Sequence, residues 1–311
     1  MAAQWPKSRQ IGLNNSQHLP SIHTFRRFVQ QHHNTFAIRD LNSVEEKKKA
    51  AIYAQSTRGE DLGTQDDVDR FFRPGQEGES RQELFDTISP VYDELNDAFS
   101  FGLHRIWKRM AVKWSGAKRG VVVLDSCCGS GDLSQILSEC VGDKGKVVGL
   151  DFSRDMLRDA KMRDEQKSGG KFGRADIEWV QGDALDLPYP SESFDAATMG
   201  YGLRNVSDIP KALQELNRVL RPACSVAILD FNNSENMLVD GIQSFFLDSL
   251  VVPAAEAKGV GDEYRYLRPS IKKYPQGSQL EYLGCGAGFD KAKYYEIGFG
   301  LMGVLVCTKK A

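Results

Sequence analysis

The sequence lacks the charge and the long apolar runs that would assign it to several common classes. Its 40 lysines and arginines nearly balance 42 aspartates and glutamates, for a net charge of −2. We therefore expect no nucleic-acid partner, since such proteins usually carry a basic surface. No apolar run approaches the roughly 18–20 residues that a transmembrane helix needs. Any lipid partner is therefore expected to be met from the surface.

Cysteine and histidine are also scarce. The six cysteines are scattered and form no C-x-x-C pair, so neither a disulfide framework nor a zinc site is indicated. We interpret them as reduced thiols in a reducing compartment. Four of the five histidines precede residue 40 at irregular spacing. The sequence therefore predicts no metal site.

Acidic residues are missing from the beginning of the chain. Asp40 is the first, and five basic residues with several serines and threonines precede it. Such a start is typical of an organelle transit segment; a disordered basic tail is the alternative. We expect residues 1–40 to be a disordered transit peptide and 41–80 a charged linker. Residues 81–311 would then form the folded domain, with a lid or insert at about 235–275.

A helical extension is expected at the start of this domain. One apolar helix side, predicted to face the core, is formed by Leu103, Ile106, Trp107, Met110, Ala111 and Trp114. Tyr92 follows Pro90, which interrupts the helical pattern. We predict that Tyr92 lies on an exposed turn near the functional site; ordinary packing is the alternative.

From residue 120, short apolar runs alternate with helical stretches. Strands are predicted at VVVLDS, KVVGLDF, IEWVQGD, FDAATMG and SVAILDFN, and helices near residues 131–140, 153–167 and 208–221. This alternation is typical of βαβ units in a parallel sheet. Runs that are apolar throughout indicate strands buried on both faces. The final KYYEIGFGLMGVLVCTKK predicts an antiparallel hairpin at the sheet edge.

A glycine turn, LDSCCGSGD at residues 124–132, follows the first predicted strand. Ligands of open parallel sheets bind beyond the carboxyl ends of the strands. Gly129 and Gly131 would let the backbone and the following helix N-terminus approach a ligand closely. Ser134 stands where the third glycine of a dinucleotide motif would be. The turn alone is therefore weak evidence for a particular cofactor.

Three aspartates at strand ends strengthen the prediction of a nucleoside site. Asp125 introduces the turn, Asp151 ends the second strand and Asp183 ends the third. Asp151 could accept hydrogen bonds from both ribose hydroxyls, and Asp183 could reach the exocyclic amine of an adenine. Each aspartate alone could instead cap a helix. Together they favour S-adenosylmethionine over a dinucleotide.

The chain resembles a known family from about Arg81 to Lys309, namely the class I C-methyltransferases of ubiquinone and menaquinone biosynthesis. The resemblance lies in LFDTISPVYDELN, HRIWKRMAV, VLDSCCGSGDLS, GLDFS, GDALDLP, MGYGLRNVSD, RVLRP, ILDFN, EYRYLRPSI and AGF. It implies an α/β, Rossmann-like fold with a mostly parallel seven-stranded sheet, an antiparallel C-terminal hairpin and S-adenosylmethionine as cofactor.

The start of the chain and the SCCGSGD and MGYGLRNV variants are most similar to the plant and algal plastid branch. That branch methylates the naphthoquinone ring of demethylphylloquinone. Three alternatives stay open: a mitochondrial enzyme acting on a benzoquinol, a nicotinamide-dependent oxidoreductase, and a non-catalytic scaffold that binds S-adenosylmethionine.

The resemblance also implies which residues line the cofactor site. These are Ser130, Asp151, Asp183 and Ala184, and the predicted set is completed by Asp125, Gly129, Gly131, Phe152 and Gly200. Two departures from the family pattern stand out. Cys127 replaces the first glycine of the loop, and RPACS lacks the glycine pair that usually follows this proline.

The expected chemistry is methyl transfer to a ring carbon, which requires aligned reactants and an electron-rich acceptor. A quinone is electron-poor, so the acceptor is expected to be the quinol or its monoanion. In GYGLRNVSD, Arg204 could stabilise a phenolate or hold a water molecule. Asn205 could orient that water, and Tyr201 could stack on the ring; Tyr92 is a second candidate. The alternative for Arg204 is an ion pair with Asp208 at a helix start.

The acceptor's prenyl or phytyl tail needs an apolar path to a membrane. MLVDGIQSFFLDSLVVP places Phe245 and Phe246 at helical spacing, and EYRYLRPSI adds Tyr264 and Tyr266. We predict that these residues form a lid and tail channel with peripheral membrane contact. A core or dimer face is the alternative, so a homodimer is left open.

Overall fold

The structure of the protein, a computed structural model, describes residues 87, 88, 100, 102–167 and 173–311. The predicted transit peptide, the charged linker and Tyr92 lie outside the described residues. These expectations therefore stay predictions. The described residues belong to one compact unit, Asn42–Ala311.

The described chain alternates strands and helices before ending in a hairpin. The first half contains α1 (Leu103–Trp114), β1 (Val122–Ser126), α2 (Asp132–Val141), β2 (Lys146–Asp151), α3 (Arg154–Lys167), β3 (Ile177–Gln181) and β4 (Phe194–Gly200). A 3-10 turn (Leu203–Asn205), α4 (Ile209–Val219) and β5 (Leu220–Phe231) follow. The insert contains α5 (Met237–Phe246), a π turn (Leu247–Val251), α6 (Val252–Glu256), α7 (Gly261–Arg265) and α8 (Leu267–Lys273). The chain ends with α9 (Gly277–Gly286), β6 (Phe289–Ile297), a 3-10 turn (Gly298–Gly300) and β7 (Met302–Lys309).

The strands form one sheet in the order β3-β2-β1-β4-β5-β7-β6. β1 through β5 pair in parallel, and β7 pairs antiparallel with both β5 and β6. The predicted fold class is therefore confirmed. After β1 the chain builds outward to β2 and β3, and then returns to place β4 on the other side of β1. Such a reversal of strand order opens a crevice at the carboxyl ends of β1 and β4.

The central strands are buried because helices cover both faces of the sheet. Val123, Leu124, Val147 and Ala196 expose almost nothing to solvent. Apolar side chains on both faces suit this environment, since neither face of such a strand meets water. The buried strands hold their carboxyl ends, and thus the predicted site residues, in fixed positions.

The predicted apolar side of α1 is only partly buried. Leu103 and Ile106 are exposed, whereas His104 and Lys108 are buried beside Ala111. Hydrogen bonds explain the two polar residues. The His104 ring is bonded to Ser100 Oγ, and Lys108 Nζ donates to the carboxylate of a residue on α2. The expectation that apolar spacing alone fixes the core side was therefore wrong at this helix.

β5 begins earlier than predicted, because α4 ends at Val219 and Leu220 already pairs with Phe194 of β4. RPACS forms an irregular stretch of β5 without glycine, where the register with β4 shifts between Leu220 and Ser225. Ala223 has a φ of 60°, a left-handed conformation that costs an L-residue roughly 1–2 kcal/mol. The missing glycine pair therefore leaves strain in this stretch without preventing the strand.

The insert contains a continuous helical segment, Met237–Glu256, that is 20 residues long. By length and composition it could cross a membrane, so the expectation that no segment would reach this length was wrong. Helices in soluble cores pass the same test, and length alone therefore assigns no span. Only 17% of its most apolar window is buried, which distinguishes it from such a core helix.

Candidate cofactor and substrate site

A cavity opens at the carboxyl ends of β1, β2 and β4. It encloses about 1150 Å³ of empty space, part of which is open to solvent. Its walls include nine of the predicted site residues: Gly129, Ser130, Asp151, Phe152, Asp183, Ala184, Gly200, Tyr201 and Asn205. The crevice predicted from the sequence is therefore present where the strand order reverses.

The glycine turn forms one wall of this cavity. Gly129 has a φ of 52° and Gly131 has a φ of 88°, which glycine adopts without steric cost. A Cβ on Gly131 would lie 2.6 Å from the Trp179 ring. Gly131 does not line the cavity; it lets the turn pack against β3. Its predicted cofactor contact is thus replaced by a structural role.

Cys127, which replaces a family glycine, also lies in the left-handed region, with a φ of 55°. Its side chain lines the cavity and lies against Gly202, where an added Cβ would come within 2.5 Å of Cys127 Cβ. Burial raises the pKa of the Cys127 and Cys128 thiols well above their usual range. Both therefore stay protonated and act as small wall residues. Among the described residues, no group of histidine, cysteine or acidic side chains could hold a metal ion.

Asp125 lies beneath the site rather than in it. Its side chain is fully buried and does not line the cavity. Its oxygens accept hydrogen bonds from Ser134 Oγ at 2.6 Å and Thr198 Oγ1 at 2.8 Å. Burial raises the pKa of Asp125 to about 6. The predicted cofactor contact is corrected: Asp125 ties β1 to α2 and β4 under the turn.

Asp151 is held at the end of β2 by backbone donors. One carboxylate oxygen accepts from the Gly129 N–H at 2.8 Å, and the other accepts from the Ser153 N–H at 3.0 Å. The side chain therefore has a fixed orientation at the cavity wall, beside Phe152. A carboxylate oxygen can accept more than one hydrogen bond, so both oxygens can still bind hydroxyl groups.

Asp183 and Ala184 form the wall beyond β3. Asp183 is exposed, and its Oδ1 accepts from the Leu185 N–H at 2.9 Å in a tight local turn. Ala184 is buried beside it. The Asp183 carboxylate therefore faces the open part of the cavity at the strand end, where the sequence predicted it.

Arg204 does not line the cavity. Its guanidinium forms a buried ion pair with Asp230 at the end of β5, and its Nε donates to Ser270 Oγ of α8 at 3.0 Å. The predicted alternative partner was also wrong, since Asp208 caps α4 by accepting from the Lys211 N–H. The predicted contact of Arg204 with substrate is corrected to a positioning role. It fastens the 3-10 turn to β5 and to the insert.

Asn205 and Tyr201 do line the cavity. Asn205 Nδ2 donates to the Tyr201 carbonyl at 3.0 Å, and Tyr266 Oη donates to Asn205 Oδ1 at 3.3 Å. Tyr201 has a φ of 59°, and its ring lies 5.8 Å from the Phe231 ring. The predicted pair is therefore brought together, with Asn205 held by the backbone and by the insert.

Sequence reasoning missed a lysine in this cavity. Lys108 of α1 is buried, and its Nζ lies 2.7 Å from Asp132 and 5.9 Å from the centroid of the Tyr201 ring. Both Lys108 and Asp132 line the cavity. The signal was a lysine within an apolar helix side, flanked by Trp107 and Ala111. Lys108 supplies a cation at the side of the cavity that holds Tyr201.

The sequence pattern of the ubiE/COQ5 methyltransferase family matches residues 75–309. The chain belongs to this family. Its curated relatives include proteins named 2-phytyl-1,4-naphtoquinone methyltransferase, of which the one from Synechococcus elongatus is 53% identical over 72% of this chain and 94% of its own length. The relative from Arabidopsis thaliana, named 2-phytyl-1,4-beta-naphthoquinone methyltransferase, chloroplastic, is 52% identical over 74% of this chain and 87% of its own length.

Solved structures support the fold of this ubiE/COQ5 family member. An S-adenosylmethionine-dependent methyltransferase from Aquifex aeolicus superposes with a TM-score of 0.51 at 20% identity, covering 70% of this chain and 97% of the other. A possible histamine N-methyltransferase from Thermotoga maritima gives the same TM-score and identity over 74% and 99%. At this identity the likeness concerns the fold alone.

The four aromatic residues predicted for the substrate tail lie in the insert of this family member, and none of them lines the cavity. Tyr264 and Tyr266 are buried in a cluster that includes Met156, a cavity residue. Phe246 packs against that cluster, whereas Phe245 is exposed. Three of the four therefore belong to the packed part of the insert next to the cavity, and only Phe245 faces solvent.

Proposed function

We propose that this protein methylates the ring of 2-phytyl-1,4-naphthoquinol, using S-adenosylmethionine as methyl donor. The observation that carries the proposal is the similarity to naphthoquinone methyltransferases, which extends over most of their length. The cavity supports it because residues expected to bind a nucleoside and the aromatic residue Tyr201 line the same space.

The wall formed by β1, β2 and β3 fits the donor. Gly129 and Ser130 would hold its amino-acid part at the start of α2. Asp151 would accept from the ribose hydroxyls, and Asp183 with Ala184 would hold the adenine. S-adenosylmethionine supplies an electrophilic methyl group on a sulfonium. The hydrogen bonds from the Gly129 and Ser153 N–H groups orient Asp151 in advance, so binding requires little rearrangement.

The opposite wall fits an aromatic acceptor that carries negative charge. Tyr201 offers a ring face, and the Lys108 ammonium lies nearby. The quinol monoanion is far more nucleophilic at its ring carbon than the quinone. A fixed cation beside the ring stabilises such an anion, and the ion pair with Asp132 holds the Lys108 ammonium in place. We assign that role to Lys108, and the orientation of the acceptor to Tyr201 and Asn205.

Arg204 would act indirectly in this scheme. It holds the 3-10 turn that carries Asn205, and its buried partner Asp230 lies on the strand behind. Removing one member of such a pair leaves an uncompensated buried charge and costs roughly 3–5 kcal/mol. Arg204→Ala should therefore lower the stability of the fold as well as turnover.

The Arabidopsis relative is named chloroplastic, which supports a plastid location for this protein. Contact with a membrane belongs to the proposal because the acceptor carries a phytyl chain. A homodimer stays a prediction.

The decisive experiment is an assay of the purified full chain with isotope-labelled donor. It compares demethylphylloquinone with a demethylubiquinone analogue, each oxidised and reduced. We expect methylation of the reduced naphthoquinone only. Preferred methylation of the benzoquinol would replace the proposed substrate. Calorimetry that detected binding of NAD but not of S-adenosylmethionine would overturn the proposal altogether.

The role of Lys108 has its own test. Lys108→Met should lower kcat with the reduced acceptor by about 100- to 1,000-fold, while donor affinity changes little. Lys108→Arg should restore part of the rate. Lys113→Met is the matched control, because Lys113 is exposed on the same helix. Equal rates for Lys108→Met and the unmodified protein would remove Lys108 from the reaction.

A further inference from the structure

The β6–β7 hairpin ends in an unusual residue. Phe299 at its tip is 96% exposed, so its ring contributes nothing to the core. It also adopts a φ of 59°, which costs an L-residue roughly 1–2 kcal/mol. Glycine would suit this position better for stability alone. An aromatic residue that is both strained and exposed points to a function for its side chain.

The hairpin tip lies between two helices. The Trp107 ring of α1 lies against Gly298, where an added Cβ would come within 2.8 Å of it. On the other side, the Val239 side chain of α5 lies against Gly300. Gln243 of α5 also donates to the carbonyl of Leu301. The tip and α5 therefore form one surface.

α5 extends the apolar character of this surface. Met237 is 88% exposed and Phe245 is 70% exposed, and Leu238 and Ile242 are also exposed. We call Phe299 and these four residues the apolar rim. The side chains are large and aliphatic or aromatic, as in segments that enter the membrane interface.

The helical segment 237–256 contains few charged residues. The segment contains no lysine or arginine, and its acidic residues are Asp240, Asp248 and Glu256. Each of the three forms an ion pair with a basic residue of α7 or α8: Lys272, Arg268 and Arg265, respectively. All three acidic residues of the segment are therefore ion-paired with neighbouring helices.

The rim is connected to the cavity by packed aromatic residues. Trp107, Tyr201, Phe231 and Leu301 pack against one buried cluster beneath the hairpin. Tyr201 lines the cavity, whereas Trp107 touches the hairpin tip. The acceptor side of the cavity and the hairpin tip therefore adjoin the same apolar cluster.

We infer that the apolar rim docks onto a lipid bilayer and receives the substrate's hydrocarbon chain there. The inference rests on the proposed function for the identity of the chain. The bilayer is the occupant favoured by an exposed strained phenylalanine, a helical segment whose three acidic residues are all ion-paired, and an apolar cluster between the rim and the acceptor site. The hydrocarbon tail would thus leave the cavity beside Trp107 and Phe299. Tyr264 and Tyr266, which the sequence predicted to contact the tail, would instead pack within the insert next to the cavity.

The test is co-sedimentation of the full chain with phosphatidylcholine vesicles, with and without phosphatidylglycerol. Phe299→Gly and Phe245→Ser should each reduce vesicle binding by about tenfold or more, since burial of such a side chain is worth roughly 1.5–3 kcal/mol. Phe299→Gly should not lower the midpoint of thermal unfolding, because glycine accepts the left-handed conformation. Met162→Ser, an exposed apolar position on α3, is the matched control and should bind vesicles normally.

Turnover separates this inference from the proposed function. With phytylated quinol in vesicles, both rim variants should lose about tenfold in rate, whereas Met162→Ser should retain the rate of the unmodified protein. Failure of every protein to methylate the quinol would contradict the proposed function and leave vesicle binding to decide the inference. Normal vesicle binding by Phe299→Gly would overturn the inference. So would a dimer that the rim variants dissociate without any vesicle binding, because a second copy would then be the occupant.

Discussion

Asp125 provides a test of how the base of the site is built. Its carboxylate is fully buried beneath the glycine turn, between a serine of α2 and a threonine of β4. Burial raises its pKa from 3.8 to about 6, because desolvation outweighs the hydrogen bonds that favour the charged form. At neutral pH the fold therefore contains a carboxylate in an environment that disfavours its charge. Asp125→Asn removes the charge and nearly preserves the shape.

The magnitude follows from linkage between protonation and folding. The folded state binds the proton more tightly than the unfolded state, so the stability of the unmodified protein falls as pH rises from 3.8 to about 6. Above that range the full penalty is about 3 kcal/mol. At pH 5 it is about 2 kcal/mol, and at pH 4 it is less than about 1 kcal/mol. The amide that Asp125→Asn introduces does not titrate, so the variant avoids this penalty.

The assay is urea unfolding of both proteins across this pH range without ligand. The difference between their free energies of unfolding cancels the contributions of the other titrating groups, which the two proteins share. Relative to the unmodified protein, Asp125→Asn should gain about 2–3 kcal/mol between pH 4 and pH 8. Any constant cost of placing an amide between two hydroxyl groups shifts the curve without changing this slope. A difference that does not vary with pH would refute the reasoning.

Three further predictions concern neighbouring parts of the fold. Glu215 has a lowered pKa because Arg218 donates to its carboxylate, so Glu215→Gln should destabilise the fold by about 1–3 kcal/mol at pH 7. That loss should disappear in urea unfolding as pH falls below the ordinary glutamate pKa; persistence at acid pH would contradict it. Ala223→Gly should raise the free energy of unfolding by up to about 1 kcal/mol by relieving its left-handed turn, and a decrease would show that no strain is stored there. Gly202→Ala should cost about 1–3 kcal/mol, because its Cβ would lie 2.5 Å from Cys127 Cβ. Cys127→Gly in the same chain should recover most of that loss in thermal unfolding, and simple additivity of the two changes would rule out the contact.

The sheet and the cofactor wall could be predicted because their determinants are local in the sequence. Each parallel strand is a short apolar run, and each run ends in an aspartate or a glycine turn. Since the carboxyl ends of parallel strands meet at one edge of the sheet, Asp151 and Asp183 were expected to lie near the turn at Ser130. Their placement needed only the strand order, which the family resemblance supplied.

The partners of charged residues could not be predicted in the same way. Arg204 pairs with Asp230, 26 positions later on the next strand, although Asp208 was closer in sequence. Lys108 lies at the cavity because its ammonium forms an ion pair with Asp132 at the start of α2. Both pairs depend on how a helix or a turn lies across the sheet. Apolar spacing in α1 does not reveal this, because it selects Leu103 and Ile106, which are exposed, and leaves out Lys108, which is buried.

The backbone around the cavity explains why this chain tolerates a cysteine where its family has glycine. Cys127 and Tyr201 both adopt left-handed conformations, and both line the cavity. Gly202 leaves the space that the Cys127 side chain fills. The two turns fit together because Gly202 has no side chain where Cys127 contacts it. Strain at non-glycine residues persists only where the surroundings enforce it, and here the buried β1 and β4 do so. Tyr201 directly follows β4 and lines the cavity beside this contact.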